Sequence, residues 1–149
     1  MTPDIAIRAK VDRLQDALNA VPQVDCPVRH YFAPGLFARE ITIPAGTCLV
    51  GAVHKTENLA VLSAGRLRLV TDAGTVEITA PHVMTVRVGV KNAAVAMETA
   101  VWTNFFPNPD NETDLEKLVA RLSESTLSDL LGGATNQQLT ANKAAELEN

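Results

Sequence analysis

The chain has three imidazoles, His30, His54 and His82, and only His54 sits in a stretch whose spacing suggests a site. That stretch runs Gly46, five residues, Ala52-Val53-His54, three residues, Asn58, six residues, Gly65. In a strand, residues i and i+2 point to one face, so Ala52 and His54 share a face. Ala52 offers no donor, and the neutral amide of Asn58 is a weak donor that brings no charge. Iron, manganese, nickel and zinc require several nitrogen or oxygen ligands from the protein. His30 and His82 are expected near strand ends or turns, on or just under the surface. Glu57 is expected to point away from its neighbour Asn58. No Ser-His-Asp set, Cys-His pair or paired carboxylates emerge from the spacing. Gly132-Gly133 lacks the Lys-Ser/Thr that would make it a phosphate loop.

The glycine-bracketed stretch resembles the first conserved motif of the cupin superfamily. There a glycine precedes His-x-His, a glutamate follows, and a second glycine closes the hairpin. On that alignment Ala52 stands at the first histidine, His54 at the second and Asn58 at the glutamate. The second motif aligns with Pro81, Arg87-Val88-Gly89, Asn92 and Ala96. Asn92 then stands at the fourth ligand position, Arg87 at a proline and Ala96 at a final Asn. Of four metal-ligand positions only His54 keeps a ligand-type side chain, so the resemblance implies the cupin frame without a metal cofactor. His54, Asn58 and Asn92 are expected to line the barrel interior as hydrogen-bond partners, with Arg87 near its rim.

These residues need a β scaffold, and the pattern supplies one. From Val28 to Phe106 short apolar runs alternate with turn signals such as Pro34-Gly35, Pro44-Ala45-Gly46, Asp72-Ala73-Gly74 and Gly89. Strands are predicted at 28–33, 36–43, 47–53, 59–64, 66–71, 76–80, 83–88, 93–98 and 101–106. Arg66, Leu67, Arg68 and Leu69 alternate as a strand with one wet face should. The fold class is therefore mainly β: a cupin-type jelly-roll barrel over 28–107, with flanking elements.

Residues 1–27 form an N-terminal helix and linker, with Thr2 as cap, Pro3 in the first turn and Pro22 past its end. Ile7, Val11, Leu14 and Leu18 make one apolar stripe. It packs either on the domain's own sheet or on a neighbouring subunit. Residues 108–133 form C-terminal helices, the first opened by a capping box at Thr113-Asp114-Leu115-Glu116, the second near Thr126 and Asp129. Residues 134–149 are a polar tail that cannot bury enough surface to fold alone.

A length of 149 residues suits one domain with a real core. Apolar residues make up 46% and charged residues 20%, as in ordinary globular proteins. A net charge of −4 without a Lys/Arg block argues against nucleic acid. No run is long enough to span a membrane, and the N-terminus lacks the order of a signal peptide. Cys26 and Cys48 are expected to be reduced, as in a cytoplasm.

The runs Pro27–Glu40, Ile43–Thr47, Val53–Glu57, Val101–Thr103 and Asn111–Glu116 are similar to small cupin-like proteins of tailed bacteriophages. That resemblance implies a phage origin and, taken with the emptied metal site and the arms that flank the core, leads to the expectation of a non-enzymatic structural component of a virion, of the capsid cement or decoration type. It places the protein in the particle or the host cytoplasm, as a homo-oligomer (dimer or trimer) with a phage capsid protein as a further partner. The alternative is a module binding a nucleotide or sugar in the barrel. A cupin enzyme ranks third, because the ligand positions are mostly lost.

Overall fold

A computed structural model describes residues 3–71, 74–124 and 136–138. Helix α1 (Pro3–Asn19) leads into β1 (Val28–Ala33), β2 (Gly35–Ile43), β3 (Thr47–Val50), β4 (Asn58–Ala64), β5 (Arg66–Thr71), β6 (Gly74–Thr79), β7 (His82–Val86), β8 (Ala93–Ala96) and β9 (Ala100–Asn108). Helix α2 (Leu115–Leu122) and a short β10 (Asn136–Gln138) follow.

The strands make two five-stranded sheets, ordered β1-β2-β9-β4-β7 and β10-β3-β8-β5-β6, and every pairing within them is antiparallel. The chain passes back and forth between sheets, the connectivity of a jelly roll. The core between them joins Ile41, Ile43, Leu62 and Ala100 of one sheet to Leu67, Leu69, Ile78, Ala94 and Ala96 of the other. Arg66 and Arg68 face outward from β5 and pair with Glu77 on β6, while Leu67 and Leu69 are buried.

Two glycines of the spaced stretch have steric reasons to be there. Gly46 turns from β2 into β3 at φ 81°, a conformation that side chains rarely adopt. Gly65 links β4 to β5 at φ 81°, and a Cβ there would sit 2.3 Å from the Thr99 carbonyl oxygen.

The stripe on α1 packs on the chain's own sheet. Val11 and Leu18 are buried, and Leu14 partly so, against Cys48, Val50, Val70, Ala93 and Val95. The Thr2 cap and the Ile7 side chain lie outside what is described. Both cysteines are buried free thiols, and burial pushes them up to about 11 for Cys26 and about 12 for Cys48.

Helix α2 is capped by Asp114 rather than Thr113. The Asp114 carboxylate accepts from the backbone N–H of Glu116, the donor that Thr113 was expected to serve, and also from that of Lys117. Leu118 and Leu122 then bury against Phe37 and Phe106, closing one end of the barrel.

Strand β3 stops at Val50, three residues short of the predicted 47–53. After Val50 pairs with Ala93, the chain leaves the sheet, and residues 53–55 bond instead to the end of α2. There Lys55 N donates to Leu122 O, Glu124 N donates to Val53 O, and His54 bridges Ser123. Part of the polar tail is also held by the chain itself, since Asn136–Gln138 pair with Thr47–Leu49 of β3. The second helix near Thr126, Gly132-Gly133 and residues 139–149 lie outside the described residues.

Candidate ligand-binding site

Cross-strand register builds the site. Inward positions alternate along each strand, so those of β2 are Phe37, Arg39 and Ile41, and those of β9 are Phe106, Asn104 and Trp102. Register sets His30 opposite Arg39, Arg39 opposite Asn104, and Asn104 opposite Ala60. A charged and polar row thus crosses the interior between two apolar rows.

These residues wall a cavity of about 370 Å³ between the sheets. Its apolar floor includes Ile41, Ile43, Leu49, Leu67, Leu69 and Trp102. Four rings also lie in succession. His30 stacks on Phe37 at 5.8 Å, Phe37 on Phe106 at 5.8 Å, and Phe106 meets His54 at 5.5 Å.

Of the expected site residues, His54 and Asn92 line the cavity and Asn58 and Arg87 are not among its lining residues. Asn58 is buried and engaged by its neighbours: its Oδ1 accepts from Asn104 Nδ2 at 2.9 Å, and its Nδ2 donates to Thr56 O at 3.1 Å. Trp102 Nε1 in turn donates to Asn104 Oδ1 at 2.9 Å. Arg87 is exposed just past β7, whose last inward residue is Val86. His82 begins β7 and is partly buried, as a strand-end histidine should be. His30, by contrast, sits in the middle of β1 and lines the cavity.

Sequence reasoning also missed Arg39, Asn104 and Trp102. The available signal was parity. Arg39 is two residues from Phe37 and two from Ile41, so it shares their inward face despite its charge.

Burial governs the titration of this row. It pushes the Arg39 guanidinium down to about 10, which leaves it charged at neutral pH. Burial, and then the Arg39 charge, depresses His54 from 6.5 to about 4. The same two causes in the same order lower His30. The interior therefore holds a cation between two neutral imidazoles. His54 Nδ1 is buried and makes no hydrogen bond with any described residue.

Other charges stand at the mouth and pair with each other. Lys91 Nζ lies 2.6 Å from both Asp12 Oδ1 and Gln15 Oε1, tying the β7–β8 connection to α1. Arg8 of α1 pairs with Asp12 at 3.6 Å and reaches Glu124, after α2, at 4.0 Å.

The donor set does not fit a transition metal. Ala52, His54 and Asn92 line the cavity, but they supply one imidazole, one carboxamide and a methyl group, and Asn58 is tied to Asn104. Among the described residues no group of three His, Cys, Asp or Glu could hold a metal ion.

The glycine-bracketed stretch spans β3 and β4 in facing sheets, with Asn92 beside the same interior at the start of β8. That is the placement the motif resemblance implies. The chain has a two-sheet antiparallel jelly-roll fold. Solved structures similar to it include cupin-domain proteins. A cupin-2 domain protein from Shewanella frigidimarina is 14% identical, over 68% of this chain and 99% of that one, at a TM-score of 0.47. KdgF from a Halomonas species is 15% identical, over 61% and 86%, at 0.48. The cupin domain of Schizosaccharomyces pombe Cnp3 is 16% identical, over 68% and 74%, at 0.48. No protein-family model matches the sequence, and a search of curated proteins finds no match. Among the described residues, no helix is long and apolar enough to cross a membrane.

Proposed function

We propose that this chain is a receptor that encloses a small organic ligand in its barrel without catalysing a reaction on it. One observation carries the reading. The interior is not filled by Leu and Val but keeps a cavity of about 370 Å³ with Arg39, His30 and His54 on its walls. That volume lies in the range of small-molecule pockets, roughly 300–1,000 Å³, and the mix of apolar walls with few polar groups is typical of them. Among the described residues no nucleophile–base pair accompanies it, so binding is the simpler use of the cavity.

The test is thermal unfolding across a panel of sugars, nucleotides and organic acids. A ligand that binds only the folded form stabilises it by about 2.7 kcal/mol at a hundred times its Kd, enough to move the midpoint by several degrees. A flat response across the panel would overturn the reading.

A second reading, a building block of a tailed-phage particle, has its own support in the outer face of the β1-β2-β9-β4-β7 sheet. Tyr31, Leu36, Phe105, Leu59 and Val83 are exposed there, and register places Tyr31, Ala38, Phe105 and Leu59 in one row. A contiguous apolar face of this kind suits a protein interface. Together with the phage-like sequence runs, it favours a homo-oligomer or a capsid partner. Mass spectrometry of purified virions decides it, since a capsid component must be present at stoichiometric level.

A further inference from the structure

We propose that the outer face of the β1-β2-β9-β4-β7 sheet binds a second copy of this chain, two such faces closing on each other about a two-fold axis. This pairing deepens the building-block reading above by naming the partner that the face takes.

The chain covers its two sheets unequally. Outside the β10-β3-β8-β5-β6 sheet, Val11 and Leu18 of α1 bury against Cys48, Val70 and Val95. Beyond the helix that face carries Arg66 and Arg68, paired with Glu77 and Glu98. The other sheet has no such cover among the described residues. Its outer face gathers Tyr31, Leu36, Leu59, Val83 and Phe105, five of the eight large apolar side chains that stand exposed among the described residues. Apolar residues exposed singly are ordinary, whereas a concentration of them marks an interaction site.

Charge suits an identical partner. The only charged side chains at the outward positions of the five strands are Arg29 and Glu40, which register sets opposite each other. Their charges sum to zero. Two copies can therefore meet here without the like-charge cost that the net −4 of the chain would impose elsewhere.

Shape suits it as well. In the row Tyr31, Ala38, Phe105 and Leu59, the small Ala38 lies between two rings. A two-fold axis along the strands between β2 and β9 seats Phe105 of each copy over Ala38 of the other, and Tyr31 over Leu59. Each contact is then made twice, as a self-complementary interface requires. Phe105 falls near the centre, where aromatic anchors carry most of the binding energy. Five strands about 4.8 Å apart and about six residues long present a face of about 24 by 20 Å, so two faces in contact remove about 1,000 Å² from water. Specific interfaces begin at about that size.

Sedimentation equilibrium of the full chain across the micromolar range tests this. We expect a dimer of twice the chain mass, weakened at least tenfold by Phe105→Arg. Val88→Arg, at a still more exposed apolar residue off this face, should leave it unchanged. If Phe105→Arg does not fold, Leu59→Arg replaces it, since that side chain is half exposed. A monomer throughout the range, a trimer, or a dimer that these face variants leave intact overturns the inference. So does equal weakening by Val88→Arg. A dimer in solution with no copy in purified virions supports this pairing and overturns the building-block reading alone. A virion component that stays monomeric in solution overturns the pairing and gives the face to another capsid protein.

Discussion

Asn104 donates from Nδ2 to Oδ1 of Asn58 at 2.9 Å inside the barrel. The residue at the cupin glutamate position is thereby tied to a neighbouring strand instead of lying free for a ligand. The bond belongs to a chain that runs from Trp102 Nε1 through Asn104 and Asn58 to Thr56 O. It ties Asn58 into the frame, while Arg39, two strands away on β2, faces the cavity.

Breaking that chain exposes its worth. Asn104→Ala leaves both Trp102 Nε1 and Asn58 Oδ1 without their partners in a buried setting. A buried polar group stripped of its hydrogen bond costs about 1–3 kcal/mol. Urea unfolding should show a stability loss of at least that size, with the barrel still folded at neutral pH.

Acid should weaken the fold through His54. Its folded pKa of about 4 lies below the ordinary 6.5, so between these values the unfolded chain takes up a proton that the native site resists. Stability is fully present above pH 6.5 and falls as pH drops toward 4, by up to about 3 kcal/mol from this group. His30, lowered for the same reasons, acts in the same direction. Asp12, lowered chiefly by its hydrogen bond to Lys91, adds its loss only below about pH 4. Unfolding midpoints of the unaltered chain and His54→Leu, compared from pH 7 to 4, should converge as the pH falls, because the variant lacks this liability.

Two glycines with similar φ should differ sharply on substitution. Gly65→Ala meets the Thr99 carbonyl oxygen at 2.3 Å as well as the strain of φ 81°. Gly35→Ala carries φ 76° but has open space around the new Cβ. The shared strain is about 1–2 kcal/mol. Gly65→Ala should exceed Gly35→Ala by more than that in chemical denaturation, and comparable losses would contradict the close approach of the β4–β5 turn to residue 99.

Much of the fold was legible because its boundaries are local. Strands at 28–33 and 66–71 match the reading to the residue, with Pro34-Gly35 and Gly65 as turn signals. The end of β3 was not legible, since it depends on residues 53–55 preferring the end of α2 to continued pairing with β8. The site was legible only in part for the same reason. His54 and Asn92 reached the cavity, but which asparagine is consumed by a neighbour depends on the β9–β4 register. Arg39 gains its role only when β1, β2 and β9 align His30, Arg39 and Asn104 in one row.

The most direct measurement is a crystal of the tag-free protein soaked with the compound that most raises its unfolding midpoint in the thermal panel, with data collected at the absorption edges of iron, nickel and zinc. The account predicts organic density in the cavity walled by Arg39, His30 and His54 and no anomalous peak at His54. An anomalous peak at ordinary coordination distance from His54, with no organic density in the cavity, would contradict it.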